Sequence, residues 1–136
     1  MASAHAAVYA LLAGDATLAA IVGTRIYVAR APQDAALPYV VYEEAEAERV
    51  RSLSGDVDYV SSVVDVSAFA ASHAQALAAG NAAREAVNDY RGTSGSTVVA
   101  LLAVTREQDL HIPPSNGGET GTFERALELE IHWRDA

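Results

Sequence analysis

The stretch from Thr122 to Arg134 has the clearest alternation of hydrophobic and polar positions in the chain. Apart from Arg125, every second residue is apolar, in the set Phe123, Leu127, Leu129, Ile131 and Trp133. Because successive side chains of a strand point to opposite faces, this period of two predicts a long β-strand with one buried face. A slip of one residue would bring the intervening glutamates into the core, so we expect a firmly fixed register.

Two short helices are predicted at the start of the chain. Ser3 is a candidate N-cap for a helix over residues 3–13, which Gly14 can close. Asp15 is a candidate N-cap for a second helix over residues 16–22. A brief extended segment at residues 25–28 and a loop at residues 31–34 follow.

Residues 38–70 predict a β-hairpin. Pro38 opens the first strand, in which Glu44, Glu46 and Glu48 alternate with alanines and are predicted to share one face. Turn residues at 52–56 precede a return strand over residues 59–70. One face of this strand carries Val60, Val64, Val66 and Ala68. The other face carries Tyr59, Val63, Asp65 and Phe69, and is too apolar for a purely solvated surface.

The second half of the chain predicts a long helix followed by two strands. The helix spans residues 72–91, with a capping box at Ser72 and Gly92 as its stop. Its predicted inward stripe is Leu77, Gly80, Ala83, Val87 and Tyr90. A connection at residues 92–96 leads to a strand over residues 97–106 that is apolar on both faces, as a central strand or one covered on both sides would be.

The predicted elements give an α+β fold in a single domain over residues 1–136. Its largely antiparallel sheet consists of two hairpins, packed by the long helix and the short N-terminal helices. Residues 108–121, rich in proline and glycine, are predicted to form a long loop within the second hairpin.

Composition narrows the possible functions. The chain has no cysteine, which excludes disulfides, thiolate metal sites and cysteine nucleophiles. The net charge of −9 weighs against binding to a phosphate backbone. The N-terminus has neither a basic leader nor a long apolar run, so we expect no membrane span and synthesis in the cytoplasm.

No pattern in the sequence supports catalysis or a cofactor. His5, His73, His111 and His132 lack metal-ligand spacing, and His132 is interpreted as a surface residue of its strand. The glycine-rich segment at residues 92–97 follows a helix and lacks the lysine of a phosphate-binding loop. The chain is therefore predicted not to be an enzyme.

Residues 25–42 carry a resemblance to a known family. They read RIY at 25–27, APQD at 31–34 and LPYVVY at 37–42. The surrounding frame agrees, with YALL at 9–12, VDV at 64–66 and HWR at 132–134. Over essentially its whole length the chain resembles the tail terminator or tail completion proteins of long-tailed phages and phage-derived gene transfer agents. Residues 108–121 match no pattern of that family.

The resemblance implies a structural protein of the virion, assembled in the host cytoplasm into the tail of a phage or phage-like particle. Such a protein forms a ring, usually a hexamer, on the head-proximal end of the tail tube. It ends tube polymerisation and offers the surface that joins tail to head. The implied partners are further copies of the chain, the tail tube protein and a head connector or neck protein. DNA would pass through the lumen without specific binding.

Two alternatives stay open. The chain could be a head-side neck adaptor or stopper protein. It could also be a small-molecule-binding α+β domain with a pocket between helix and sheet.

Three candidate sites follow from these patterns. At least one of two glutamate rows is predicted to face the lumen, the alternative being the solvated outer surface; the rows are Glu44, Glu46 and Glu48, and Glu124, Glu128 and Glu130. Candidate subunit-interface residues are Tyr59, Val63 and Phe69, unless the N-terminal helices cover that face as a second layer. The candidate docking loop, or otherwise a plain hairpin loop, contains His111, Pro113, Pro114 and Asn116.

Overall fold

The computed structural model describes residues 2–53, 55–113 and 121–136. The helices are α1 (Ala4–Ala13), α2 (Ala16–Val22) and α3 (His73–Val87). The strands are β1 (Ile26–Val28), β2 (Tyr39–Ser52), β3 (Gly55–Ala70), β4 (Gly92–Ser94), β5 (Thr97–Ile112) and β6 (Thr122–Asp135). These helices and the six-stranded, mostly antiparallel sheet confirm the predicted α+β class.

The sheet has the order β1-β2-β3-β6-β5-β4. Among the described strands, β1 and β2 pair in parallel and every other pair is antiparallel. The strongly alternating stretch near the C-terminus is β6, and it lies between β3 and β5 in the middle of the sheet. The hairpins β2–β3 and β5–β6 are joined through the β3–β6 pair, so they turn at opposite ends of the sheet.

The predicted caps begin all three helices. The side chain of Ser3 accepts from the Ala6 N–H at 3.0 Å, and that of Asp15 accepts from the Leu18 N–H at 2.9 Å. Ser72 accepts from the Gln75 N–H at 3.2 Å. Each cap satisfies a backbone donor that the first helical turn leaves unpaired.

The predicted end of α3 is wrong by about one turn. The helix stops at Val87, because Asn88 is extended (φ −63°, ψ 133°) and Asp89 has a positive φ of 63°. The Asn88 side chain accepts from the Val104 N–H at 3.0 Å, which ties the helix end to β5. Gly92 begins β4, so the predicted connection at residues 92–96 is largely a strand.

α1 and α3 pack on one face of the sheet, and α2 packs mainly against these two helices. They share one core with the strands, whose fully buried side chains include Leu12, Leu18, Leu102, Leu129 and Ile131.

The inward stripe of α3 agrees with the prediction in part. Gly80, Ala83 and Val87 are buried, whereas Leu77 and Tyr90 are only half-buried. The buried alanines and the glycine bring the helix close to the sheet.

The second hairpin is longer than predicted. Residues 108–112 continue β5 and pair with residues 122–126, so the predicted loop is shorter at its N-terminal end. Of the candidate docking residues, His111 lies in β5 and Pro113 follows it, whereas Pro114 and Asn116 lie outside the described residues. The strand predicted to be central or covered on both sides is β5, and it is neither. Its outer neighbour β4 pairs with it only over Thr97–Val99, and only one of its faces packs against the helices.

Candidate assembly surface

The sheet face opposite the helices is left uncovered by every described element. Its residues alternate with the core positions, and all of them are half-buried or exposed. We call this surface the open face. It comprises Tyr39, Val41, Glu43, Glu46 and Glu48 of β2; Ser61, Val63, Asp65, Ser67 and Phe69 of β3; Glu124, Ala126, Glu128, Glu130, His132 and Arg134 of β6; and Val98, Leu101, Ala103, Arg106, Gln108 and Leu110 of β5.

A row of charged side chains crosses the middle of the open face. Asp65 lies opposite Glu43 on one side and Glu128 on the other, and Glu128 lies opposite Arg106. Partial burial raises the pKa of the Asp65 carboxyl, and the neighbouring Glu128 and Glu43 raise it further. A groove of about 240 Å³ runs beside this row and is lined partly by Asp65, Arg106 and Glu128.

The acidic residues of β6 lie where the alternation predicts. Glu124, Glu128 and Glu130 share the open face, opposite Phe69, Asp65 and Val63. Glu130 also lies 2.8 Å from the ring Nε2 of His132, two residues along the same strand. These carboxylates form one line along the centre of the sheet.

The prediction that Glu44, Glu46 and Glu48 share one face is wrong. The strand pairing shifts between Glu44 and Glu46, so Ala45 is an extra residue that reverses the order of the faces. Glu46 and Glu48 lie on the open face, whereas Glu44 lies on the helix side.

Glu44 belongs to a polar network beneath the helices. The buried Ser62 hydroxyl donates to the Glu44 carboxylate at 2.8 Å, and the Trp133 indole N–H donates to Ser62 at 3.0 Å. The Glu44 backbone N–H donates to the His5 ring at 3.3 Å. Glu44 therefore links α1 to the sheet and does not contribute to the acidic open face.

Sequence reasoning missed two members of the acidic surface. Glu43 and Asp65 stand opposite each other at the centre of the open face. Asp65 had a detectable signal, because it alternates with Val63 and Phe69 along β3. No signal in the sequence distinguished Glu43 from Glu44, because only the bulge determines which of these two glutamates points toward the helices.

The candidate interface residues lie on or beside the same open face. Phe69 packs against Tyr39 with ring centroids 5.2 Å apart, and Tyr39 contacts Tyr27 at 5.9 Å. Val63 lies between Glu46 and Glu130, and Tyr59 is 40% exposed. The alternative that α1 and α2 cover this face is wrong, because both helices belong to the core on the other side.

Arg125, the charged residue that interrupts the apolar side of β6, forms ion pairs with β5. The Arg125 guanidinium donates to Asp109 at 2.9 Å and to Glu107 at 3.0 Å, beneath α3. A hydrogen bond from His73, together with Arg125, lowers the pKa of the Asp109 carboxyl. The Arg125 ion pairs join β5 to β6, and the contact of His73 with Asp109 fastens this hairpin to the start of α3. Near the hairpin end, the His111 ring contacts Phe123 at 4.7 Å.

Neither metal binding nor a membrane span is indicated by the part of the chain that the structure describes. There, no group of three His, Asp or Glu side chains is placed to hold a metal ion. No single described helix is long and apolar enough to cross a membrane; α1 and α2 reach that length only as a pair bent by 81°.

Three comparisons with known proteins bear on the family and on the fold of the chain. A family model described as "Tail completion protein gp17" matches residues 6–116. No curated protein matches the chain. A chain in the solved structure "Virion of native gene transfer agent (GTA) particle" is 23% identical, with a TM-score of 0.75; the match covers 97% of this chain and 99% of that chain. That likeness shows a shared fold. Because the family model matches most of the sequence, the chain belongs to the tail completion protein gp17 family and is a structural protein of the tail of a phage or phage-like particle.

Proposed function

We propose that the protein forms a ring on the head-proximal end of the tail tube, with its open face lining the lumen. The ring ends tube polymerisation and provides the surface to which the head joins. Membership of a tail completion family supports this role. The observation that carries the lumen assignment is the row of carboxylates across an uncovered sheet face.

The chemistry of the open face suits a passage for DNA. Among the side chains that the structure describes, its carboxylates are those of Glu43, Glu46, Glu48, Asp65, Glu124, Glu128 and Glu130. Its arginines are Arg106 and Arg134. A negative wall repels phosphates, so the duplex can slide without binding to it.

The open face is less suited to direct packing of one subunit on another. Two such faces brought together would bury carboxylates against carboxylates, and Asp65 already has two acidic neighbours within its own subunit. The apolar surface of Phe69 is also partly covered by Tyr39. A subunit interface through Tyr59, Val63 and Phe69 is the alternative to an open face that lines the lumen, and it has less support.

The alternative of a small-molecule pocket between helix and sheet has less support. That space is filled by fully buried side chains, among them Val64, Ala83 and Leu129. A head-side adaptor or stopper remains the second candidate, because the same ring could bind the head connector first.

Ring formation is tested by mass in solution. Light scattering and native mass spectrometry over a range of concentrations should show a closed oligomer, expected to be a hexamer. Phe69→Glu should keep that oligomer if the open face lines the lumen, and should abolish it at unchanged helical content if Phe69 lies in the interface. Ala78→Glu adds the same charge at an exposed position on α3 and serves as the matched control.

Tube termination is tested with the tail tube protein from the same particle. Amounts of the chain well below that of tube protein should shorten the polymerised tubes, with one ring on one tube end in electron micrographs. Unchanged tube lengths together with binding to the head connector would instead support the adaptor function.

A further inference from the structure

We propose that neighbouring copies in the ring join through their strand edges, with the outer edge of β2 in one copy pairing antiparallel with the outer edge of β5 in the next. This inference rests on the proposed ring and names its subunit contact. It starts from two long strands whose outer neighbours are too short to cover them.

The first free edge is the distal half of β2. β1 pairs only with Val40, Val41 and Tyr42, whereas β2 continues to Ser52. The next N–H, that of Glu44, donates to His5. Beyond Glu44, no described strand pairs with the outer side of β2.

The second free edge is the distal half of β5. β4 pairs with β5 only as far as Val99. The segment after α3 then covers the edge a little further: the Asp89 N–H donates to the Leu102 carbonyl at 2.8 Å, and the Val104 N–H donates to the Asn88 side chain. From Arg106 to Leu110, no described strand pairs with the outer side of β5.

Such edges present rows of backbone donors and acceptors that readily pair with another chain. The two edges lie on opposite sides of one sheet, so a contact between them is head-to-tail, and a head-to-tail contact can close into a ring. β2 and β5 run in opposite directions, since an odd number of antiparallel pairings separates them. The contact is therefore antiparallel whenever the copies share one orientation.

The free segments lie toward opposite ends of the sheet, so adjoining copies must be offset along the strands. A barrel made of tilted strands has this kind of stagger. The open faces of all copies then form one continuous inner wall, and the helices lie outside.

The charges on the two edges are complementary on both faces. On the open face, Glu46 and Glu48 of β2 would meet Arg106 of β5 together with the uncharged Gln108 and Leu110. On the other face, β2 presents Arg49, whose cross-strand partner is the buried Val60. There β5 presents Glu107 and Asp109, which already pair with Arg125. Opposite charges across a strand pair favour the alignment.

Cysteine cross-linking tests the contact directly, because the chain has no cysteine of its own. Facing residues of antiparallel strands have Cα atoms about 4.5–5.5 Å apart, which lies within the range that a disulfide spans. Glu48→Cys is combined in turn with Arg106→Cys, Gln108→Cys or Leu110→Cys to scan the register. We expect at least one double variant to give, on oxidation, a ladder of covalent oligomers up to the ring size.

Two controls isolate the head-to-tail contact. Each single-cysteine variant should remain monomeric on a non-reducing gel, and Ala78→Cys with Gln108→Cys should give no ladder. A ring by mass with no ladder in any of the three double variants overturns the edge contact and leaves the proposed function standing. Dimers from single-cysteine variants overturn it as well, since they show a two-fold contact. A chain that stays monomeric at every concentration overturns both proposals.

Charge reversal gives a second measurement. Arg106→Glu, and separately Glu46→Arg with Glu48→Arg, should each raise the concentration needed for assembly at least tenfold at low salt. The combination of all three changes should restore assembly in part. If Arg106→Glu assembles like the unaltered chain, the pairing of these edges is wrong.

Discussion

At the scale of single residues, the clearest unfavourable electrostatic interaction is at Asp65, whose carboxylate lies between those of Glu43 and Glu128. Its folded-state pKa is raised by burial and by these two carboxylates. The folded state therefore holds a proton on Asp65 at a pH where the unfolded chain has released it. Between the ordinary carboxyl pKa and the raised one, the free energy of unfolding falls as pH rises, and above the raised pKa the loss is complete.

Asp65→Asn should consequently stabilise the subunit at pH 7. Like charges directly opposite on a sheet cost roughly a few tenths of a kcal/mol per pair, so we expect a gain of about 0.5 kcal/mol and a Tm higher by about 2–3 °C. Thermal unfolding at dilutions below assembly measures it. The gain should vanish at a pH low enough to protonate Asp65 in both states.

Glu48→Gln is the control for Asp65→Asn. It removes one charge from the same face, but Glu48 lies opposite Ser61 and has no acidic cross-strand partner. Equal stabilisation by the two changes would show that the gain comes from the lower net charge, and not from relief of the repulsion between Asp65 and its two acidic neighbours.

At the scale of elements, α3 rests on β6 through a glycine. A Cβ at Gly80 would lie 2.3 Å from Cγ and 2.9 Å from Cβ of Arg125. Those atoms are the base of a side chain whose guanidinium is held by Asp109 and Glu107, so they have little freedom to move. The glycine and the ion pairs are thus two parts of one helix–hairpin contact.

Gly80→Ala should therefore destabilise the protein although alanine is the better helix former. The propensity gain is about 1 kcal/mol, while overpacking costs about 1–3 kcal/mol and the shift also strains two ion pairs. We expect a net loss of about 1–2 kcal/mol in urea unfolding. Asn81→Ala, at the adjacent exposed position, should instead stabilise slightly. A stabilising Gly80→Ala would contradict the close approach of α3 to Arg125.

The elements that local patterns determine were predictable from the sequence. The alternation of β6 and the caps at Ser3, Asp15 and Ser72 were confirmed, because each depends on residues within a few positions. The end of α3 was not predictable, since Asn88 is fixed by a bond to Val104, far along the chain.

The acidic surface shows the same division between local and long-range signals. Glu44, Ala45 and Glu46 alternate perfectly in sequence, and only the pairing of β2 with β3 reveals that Ala45 is an extra residue. The alternating pattern therefore identified the acidic strands, whereas the face on which each glutamate lies depended on contacts between strands. Which sheet face the helices cover was likewise decided by packing.

At the scale of the whole molecule, two predicted sites compete for one surface. The acidic residues of β6 and the apolar Val63 and Phe69 are cross-strand neighbours, so the open face cannot be wholly a lumen wall and wholly a subunit interface. The proposed contact through β2 and β5 would remove the conflict, because the strand edges would form the ring and leave the open face free.

The β6 carboxylates give the cleanest test of the lumen, because β6 is an inner strand between β3 and β5 and contributes neither of the free edges. Changing Glu124, Glu128 and Glu130 together to Gln should leave ring assembly intact. Changing them to Arg should also leave the ring intact but add DNA binding, whose affinity falls steeply as salt rises because each phosphate contact releases a counterion. Particles carrying the arginine variant should deliver DNA more slowly.

The row on β2 has to be changed separately, since Glu46 and Glu48 also lie on a proposed subunit contact and their reversal should weaken the ring itself. A charge-matched control for the β6 variant is Asp34→Arg, Glu85→Arg and Asp135→Arg, at exposed positions off the open face. If the open face lines the lumen, those arginines lie away from it, so particles bearing them should deliver DNA at the normal rate. Equal slowing by the two variants, or a ring structure with β6 glutamates facing outward, would contradict the lumen assignment. A selective effect of the β6 row would identify the open face as the wall along which DNA passes.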